Sequence, residues 1–239
     1  MKNFFEQVRQ SGGFFLMSVA IVIGLGLIAR LVERFLPQKR QVSPARRICV
    51  ISLSAAIAAI LYMMDFPLPF LAPGFYKLDL SELPVMLCGF FLGPSAAVVC
   101  EGGKVLLKLL LKSTSTAFVG DLANFVVGCS FVLPAAIWYH IRKSRHSALA
   151  GLILGTLCMT VFGSLFNAVY LLPKFAQLYG MPLDAIIAMG SEIWSGVRNI
   201  STFVLLCVAP LNLVKGALVS LLTMLLYKKV AAPLFGLHK

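Results

Sequence analysis

Apolar residues run in long unbroken stretches along this chain, and polar positions gather into short interruptions between them. Seven stretches stand out, at roughly 12–36, 46–64, 82–97, 98–112, 117–140, 147–172 and 199–227. Most approach the roughly 20 residues that a helix needs to cross a hydrocarbon core of about 30 Å. Their continuous apolar character, without sustained alternation, predicts membrane helices rather than barrel strands. The third and fourth are short, and GPSAA at 93–97 predicts a turn between them.

Composition sharpens the class. Hydrophobic residues make up 59% of the 239 and only 13% are charged, with a mean hydropathy of +0.92. A water-soluble domain cannot hide that much apolar surface, so an all-α integral membrane protein is expected. The excess of 21 Lys and Arg over 9 Asp and Glu needs no nucleic acid, because cytoplasmic loops of membrane proteins favour cations. The first apolar run has no small-residue cleavage site before Arg30 and is read as a retained helix. The six cysteines lie singly, which predicts buried small apolar side chains. No CxxC spacing occurs, and His140, His146 and His238 flank basic edges, so no metal is expected.

The cations orient the helices. Lys39, Arg40, Arg46 and Arg47 form one cluster, Arg142, Lys143 and Arg145 a second, and Lys228, Lys229 and Lys239 a third. These belong inside, and the loops 65–81 and 173–198 outside. A six-helix core with both ends in the cytosol follows, preceded by one additional N-terminal helix that puts Met1 outside. The expected division is 1–45 for the extra helix and its basic linker, 46–230 for the core, and 231–239 for a cytoplasmic tail.

The outer loop FPLPFLAPGFYKLDLSELP at 66–84 has too many prolines for a helix and too many aromatics for a solvated linker. It reads as a lid packed onto something. Beneath it, at similar depth, the topology gathers Asp79, Asp121, Asn124, Asn167, Asn212 and Lys215. Lys215 precedes Lys228 by thirteen residues, about 20 Å of helix. A charge at that depth faces a cavity or a partner, or snorkels to the interface. Asn212 shares its helical face, which favours a lined site. Taken singly, Asn124 and Asn167 also fit interhelical hydrogen bonds, Asp79 a helix cap near Ser81, and Asp121 a first-turn acid. Glu101 and Lys104, three apart, are expected to pair within the bundle. Ala55 and Ala59 permit close helix approach, with internal packing as the default.

Enzyme motifs fail. GLGLIA at 24–29 lies within a membrane span with no strand before it, and GxxxxGK[ST], HExxH and GxSxG are absent. The chain is expected not to be an enzyme and not to hydrolyse ATP itself.

FYKLDLSELP (75–84), GFFLGPSAA (89–97), GDLANFVVG (120–128), FNAVYLLPKF (166–175), LYGMPLDAIIAMG (178–190) and APLNLVKG (209–216) resemble, in order and spacing, the riboflavin-specific substrate-binding subunits (S components) of energy-coupling-factor (ECF) transporters. The resemblance covers about 46–230. It implies a multi-pass protein of the bacterial plasma membrane that captures riboflavin under the first outer loop and works with a coupling protein and two ATPases. Riboflavin is then a transported ligand, with no cofactor. The resemblance places Asn167, Asn212 and Lys215 at the vitamin, and Ala55 and Ala59 against the coupling protein. The flat flavin ring suits an apolar slot, which Phe75 and Leu78 can supply. Asp121 stands where the family has glutamate, Val105 where it usually has asparagine, and the helix at 12–36 lies outside the pattern. A subunit of the same architecture for another flavin or vitamin, or a membrane-embedded enzyme or anchor, is the alternative.

Overall fold

The computed structural model describes residues 12–37, 42–112, 114, 116 and 118–235. Lys39, Arg40, His238 and Lys239, which enter the orientation and metal-site expectations, lie outside the described residues. The elements run α1 (Gly12–Phe35), α2 (Pro44–Met63), β1 (Phe66–Pro67), β2 (Lys77–Leu78), α3 (Glu82–Leu92), α4 (Pro94–Leu111), α5 (Val119–Ile141) and α6 (Arg145–Phe166). A π turn at Asn167–Leu171 carries α6 into α7 (Leu172–Tyr179), and α8 (Leu183–Ser191) follows. Then α9 (Ile200–Phe203) passes through a second π turn, Val204–Val208, into α10 (Ala209–Phe235).

Four helical runs among the described residues are long and apolar enough to cross a membrane: Pro44–Met63, Val119–Ile141, Arg145–Tyr179 and Ile200–Tyr227. Their outer faces carry exposed Leu53, Ile57, Leu157, Val161, Leu165, Leu221 and Leu225, a surface suited to lipid rather than water. The regular count of seven spans is not reproduced. The turn after α3 falls at Gly93, whose φ of +109° is a conformation glycine adopts readily, and Pro94 opens α4 at once. The predicted turn at 93–97 is thus present at its first residue, and α3 ends at Leu92 rather than near 97. With 11 residues, α3 is only about 16 Å long, half of a hydrocarbon core. The segment expected as loop 173–198 contains α7 and α8, and α10 continues as helix through part of the expected tail.

Two small-residue contacts set the inner packing. A methyl group at Gly155 would sit 2.5 Å from the Phe131 carbonyl oxygen, and one at Gly151 would sit 2.7 Å from that of Ala135. Only glycine lets α6 approach α5 this closely. Around them Phe90 stacks on Tyr139 with centroids 4.5 Å apart, and Phe91 on Tyr227 at 5.6 Å. His140 is buried rather than at a basic rim, its Nε2 lying 3.1 Å from the Gly89 carbonyl oxygen. Cys88, Cys100, Cys129 and Cys207 are buried as expected, but Cys49 is exposed. The extra helix α1 lies across α4 and α5, with buried Ala29 in a small core with Val98, Phe125 and Cys129.

Candidate functional site

Because α3 spans only half a membrane, the chain leading into it descends into the bundle. The segment 64–81 folds as a minimal hairpin, Phe66 pairing Leu78 and Pro67 pairing Lys77. It is tied at its rim by Lys77 to Asp65 at 3.2 Å and by the Trp194 indole donating to the Leu71 carbonyl at 3.1 Å. Leu78 is fully buried and Phe75 half-buried. Phe75 meets Phe175 edge-on at 6.2 Å, and Tyr76 lies 6.2 Å from Phe203. These aromatics form an apolar roof over the outer ends of α6 and α10.

At the bottom of the descent Asp79 makes a tight turn. Its Oδ1 accepts from the Ser81 amide at 2.9 Å and from the Ser81 hydroxyl. Ser81 makes no side-chain cap to α3, so Asp79 shapes the turn rather than capping the helix. Its other oxygen, Oδ2, accepts from Lys215 Nζ at 3.0 Å. Lys215 also lies 2.9 Å from Glu82 Oε2, close enough for an ion pair although not aligned for a hydrogen bond. Snorkelling is thereby corrected: the ammonium points into the protein, toward carboxylates that arrive from the outer loop.

Lys104 extends the cluster. It pairs with Glu101, as expected, but also with Glu82 at 3.3 Å, and it donates to Ser81 Oγ at 3.0 Å. Three carboxylates thus share two buried ammonium groups. Burial pushes the Asp79 carboxyl up, but Lys215 and Lys104 outweigh it and hold the group below its ordinary range. In a low-dielectric setting such a network persists only if its members stay together.

The remaining expected residues divide into two further groups. Asp121 opens α5 and pairs with Lys108 at 2.5 Å. Tyr62 joins this pair to the cluster: its hydroxyl is 3.4 Å from Asp121, and its ring lies 5.3 Å from Lys108 Nζ and 5.4 Å from Lys104 Nζ. Asn167 is the first residue of the π turn in α6. Its Nδ2 donates to the Gly163 carbonyl at 2.7 Å, while its Oδ1 accepts from the Tyr76 hydroxyl at 2.6 Å. That second bond latches the lid to α6. Asn212 projects from the first turn of α10 against Gly163, where a methyl group would come within 2.7 Å of its Nδ2.

Among the buried polar atoms without a hydrogen-bond partner are three uncharged ones, Asn124 Oδ1, Ser164 Oγ and Asn212 Nδ2. They stand on α5, α6 and α10, and Val127 and Asn212 both abut Gly163. A π turn interrupts α6 at Asn167 and another precedes α10 at Val204. Such turns widen a helix locally and recur at functional sites. An open acceptor and an open donor suit a flat ligand with a mixed polar edge.

Ala55 and Ala59 are 4% and 1% exposed. A methyl at Gly103 of α4 would meet Ala55 Cβ at 3.1 Å, so Ala55 permits a close approach of α4 within the chain. Tyr62, Tyr76, Glu82, Gly163 and Ser164 went unselected in the sequence. An acid at the exit of a proline-rich loop was the available signal for Glu82.

Residues 46–227 match the family model described as ECF transporter, substrate-specific component. The chain belongs to this S component family. It is a transport subunit and not an enzyme. The matched span leaves α1 outside. The S component is similar to "Riboflavin transporter RibU" of Staphylococcus aureus, 33% identical over 81% of this chain and 95% of the relative. It is also similar to "Riboflavin transporter FmnP" of Bacillus subtilis, 27% identical over 77% of this chain and 92% of the relative. A solved S component of a bacterial ECF transporter superposes with a TM-score of 0.63 at 34% identity, covering 81% of this chain and 99% of that one.

Proposed function

We propose that this S component captures riboflavin at the outer face of a bacterial plasma membrane and hands it to a coupling protein driven by two ATPases. The relatives' names supply the ligand class. The observation that carries the reading to particular residues is the unpaired set under the lid, Asn212 Nδ2 and Asn124 Oδ1. The flavin's pyrimidine edge sets an N–H donor between two carbonyl acceptors. Asn212 can donate to a carbonyl and Asn124 can accept from the N–H. An unmade buried hydrogen bond costs about 1–3 kcal/mol, so a ligand that supplies both partners gains affinity and selectivity together.

The tricyclic ring takes the apolar space under Phe75 and Leu78, and the ribityl hydroxyls reach toward Asn167, Asp121 and the Asp79–Lys215 pair. Lys215 has two tasks here: it holds the Asp79 turn at the bottom of the lid and presents an N–H to ligand oxygens. Opening the lid requires the Tyr76–Asn167 bond and the Asp79–Lys215 pair to separate, which couples ligand entry to loop movement. The binding unit is the six-helix core at 46–230, with 1–45 as an addition. The sequence lacks a P-loop, so the energy for transport comes from the partner ATPases. Purified protein from a riboflavin-fed culture should be yellow, carrying bound flavin that absorbs at the edge of the visible and is released on denaturation. A colourless protein that also fails to bind added riboflavin would sink the proposal.

A further inference from the structure

A sizeable cavity lies away from the lid. It is a cleft of about 810 Å³ between α1 and α2, floored by α4 and α5. Its walls are apolar, and Ile23, Leu27, Ile48, Val99 and Leu106 are exposed along it, so it opens sideways to the hydrocarbon. Apart from Arg30, Arg47, Ser95 and Asp121 the lining is apolar, and leaving that part empty would forfeit dispersion contacts along its walls. Along α4 it extends from Ser95 to Leu109, about 21 Å of helix, comparable to an extended acyl chain.

One end is polar and cationic. Arg30 of α1 and Arg47 of α2 both line the mouth. Arg47 Nη2 donates to Ser95 Oγ at 2.8 Å and lies 3.9 Å from Glu33 Oε1, which fixes the guanidinium in place. Arg30 is exposed and has no ion-pair partner among the described residues. This mouth is at the same end of the bundle as the α5–α6 turn with Arg142, Lys143 and Arg145, the cytoplasmic end by charge. Basic pockets between membrane helices on that side bind anionic headgroups.

We infer that the cleft between α1 and α2 is a binding site for an anionic glycerophospholipid of the cytoplasmic leaflet. Its phosphate meets Arg30 and Arg47, and its acyl tail lies along α4 beside Gly26. The lipid completes the seam between the extra helix and the core. Gly26 provides the slot, since a Cβ there would meet nothing within 4 Å. A side chain at that position therefore starts into open space toward the cleft, and replacing glycine favours the helix.

The test uses the full chain in nanodiscs doped with phosphatidylglycerol carrying a photoactivatable diazirine on its acyl chain, with the matching phosphatidylcholine as comparison. Crosslinks are mapped by peptide mass spectrometry. Labelling should concentrate on 22–27, 48–51 and 99–106, with the anionic probe favoured. Arg30→Gln should lower that preference about fivefold, the contribution of one surface cation. Gly26→Phe should remove the concentrated labelling while leaving the exposed α6 residues labelled as before. Three results would overturn the inference: labelling spread evenly over the lipid-facing helices, equal labelling by both probes, or labelling lost when the chain is assembled with its coupling protein. The last would make the cleft a protein interface. If Gly26→Phe elutes aggregated, Gly26→Leu gives the same readout with less bulk.

Discussion

The two halves of this bundle are built differently. The inner half is regular helix, closed by glycine contacts at Gly151 and Gly155 and by the stacked rings of Phe90, Tyr139, Phe91 and Tyr227. The outer half has both π turns, a left-handed residue at Phe118, short helices, and polar atoms without partners. Between them, at mid-depth, lies the network of Asp79, Glu82, Glu101, Lys104 and Lys215. On the function proposed above, the inner half holds the fold and the open atoms of Asn124 and Asn212 in the outer half meet the ligand. Stability and binding are therefore separable by position along the membrane normal.

The network at the boundary should show the largest effect. Lys104→Met leaves Glu82 and Glu101 buried with one remaining ammonium nearby, and losing one partner of a buried pair costs about 3–5 kcal/mol. Loss of folded protein on size-exclusion chromatography after mild heating is expected, whether or not riboflavin is present. A variant as stable as wild type would mean that the network is solvated. Next comes Ala59→Leu, which overpacks the buried face of α2 at about 1–3 kcal/mol. Affinity and uptake should fall together, whereas uptake falling alone would point to a docking role for that face.

Tyr76→Phe deletes the hydroxyl that holds Asn167 but keeps the ring. About 1 kcal/mol, or roughly a fivefold faster release of riboflavin, is expected in stopped-flow fluorescence, with thermal stability nearly unchanged.

Much of the architecture was legible because apolar length and loop charge are local quantities. Helix type and the placement of α2, α5, α6 and α10 followed from them. The short α3 and the turn at Gly93 were legible from GPSAA, but the exact end of α3 was not, because the apolar run continues across Gly93 into α4. Lys215 and Asn212 were marked by polarity at depth, yet the partners of Lys215 lie 136 and 133 residues away, and no local pattern announces them. Ala55 and Ala59 signalled close approach correctly, but a small-residue pair does not reveal which helix approaches. The π turns have no sequence signature at all, although they aim Asn167 at the lid and sit beneath it.

The central claim is that the open atoms of Asn212 and Asn124 recognise the flavin edge. Isothermal titration of riboflavin into wild type, Asn212→Ala and Asn124→Ala tests it most directly. Each substitution should weaken binding by about 1–3 kcal/mol, roughly fivefold to a hundredfold. Melting temperatures without ligand should hold or rise, since each change removes a buried group that has no partner. If both variants bind riboflavin as wild type does, the vitamin is not recognised beneath the lid at these residues, and the assignment of the outer half as the binding site is contradicted.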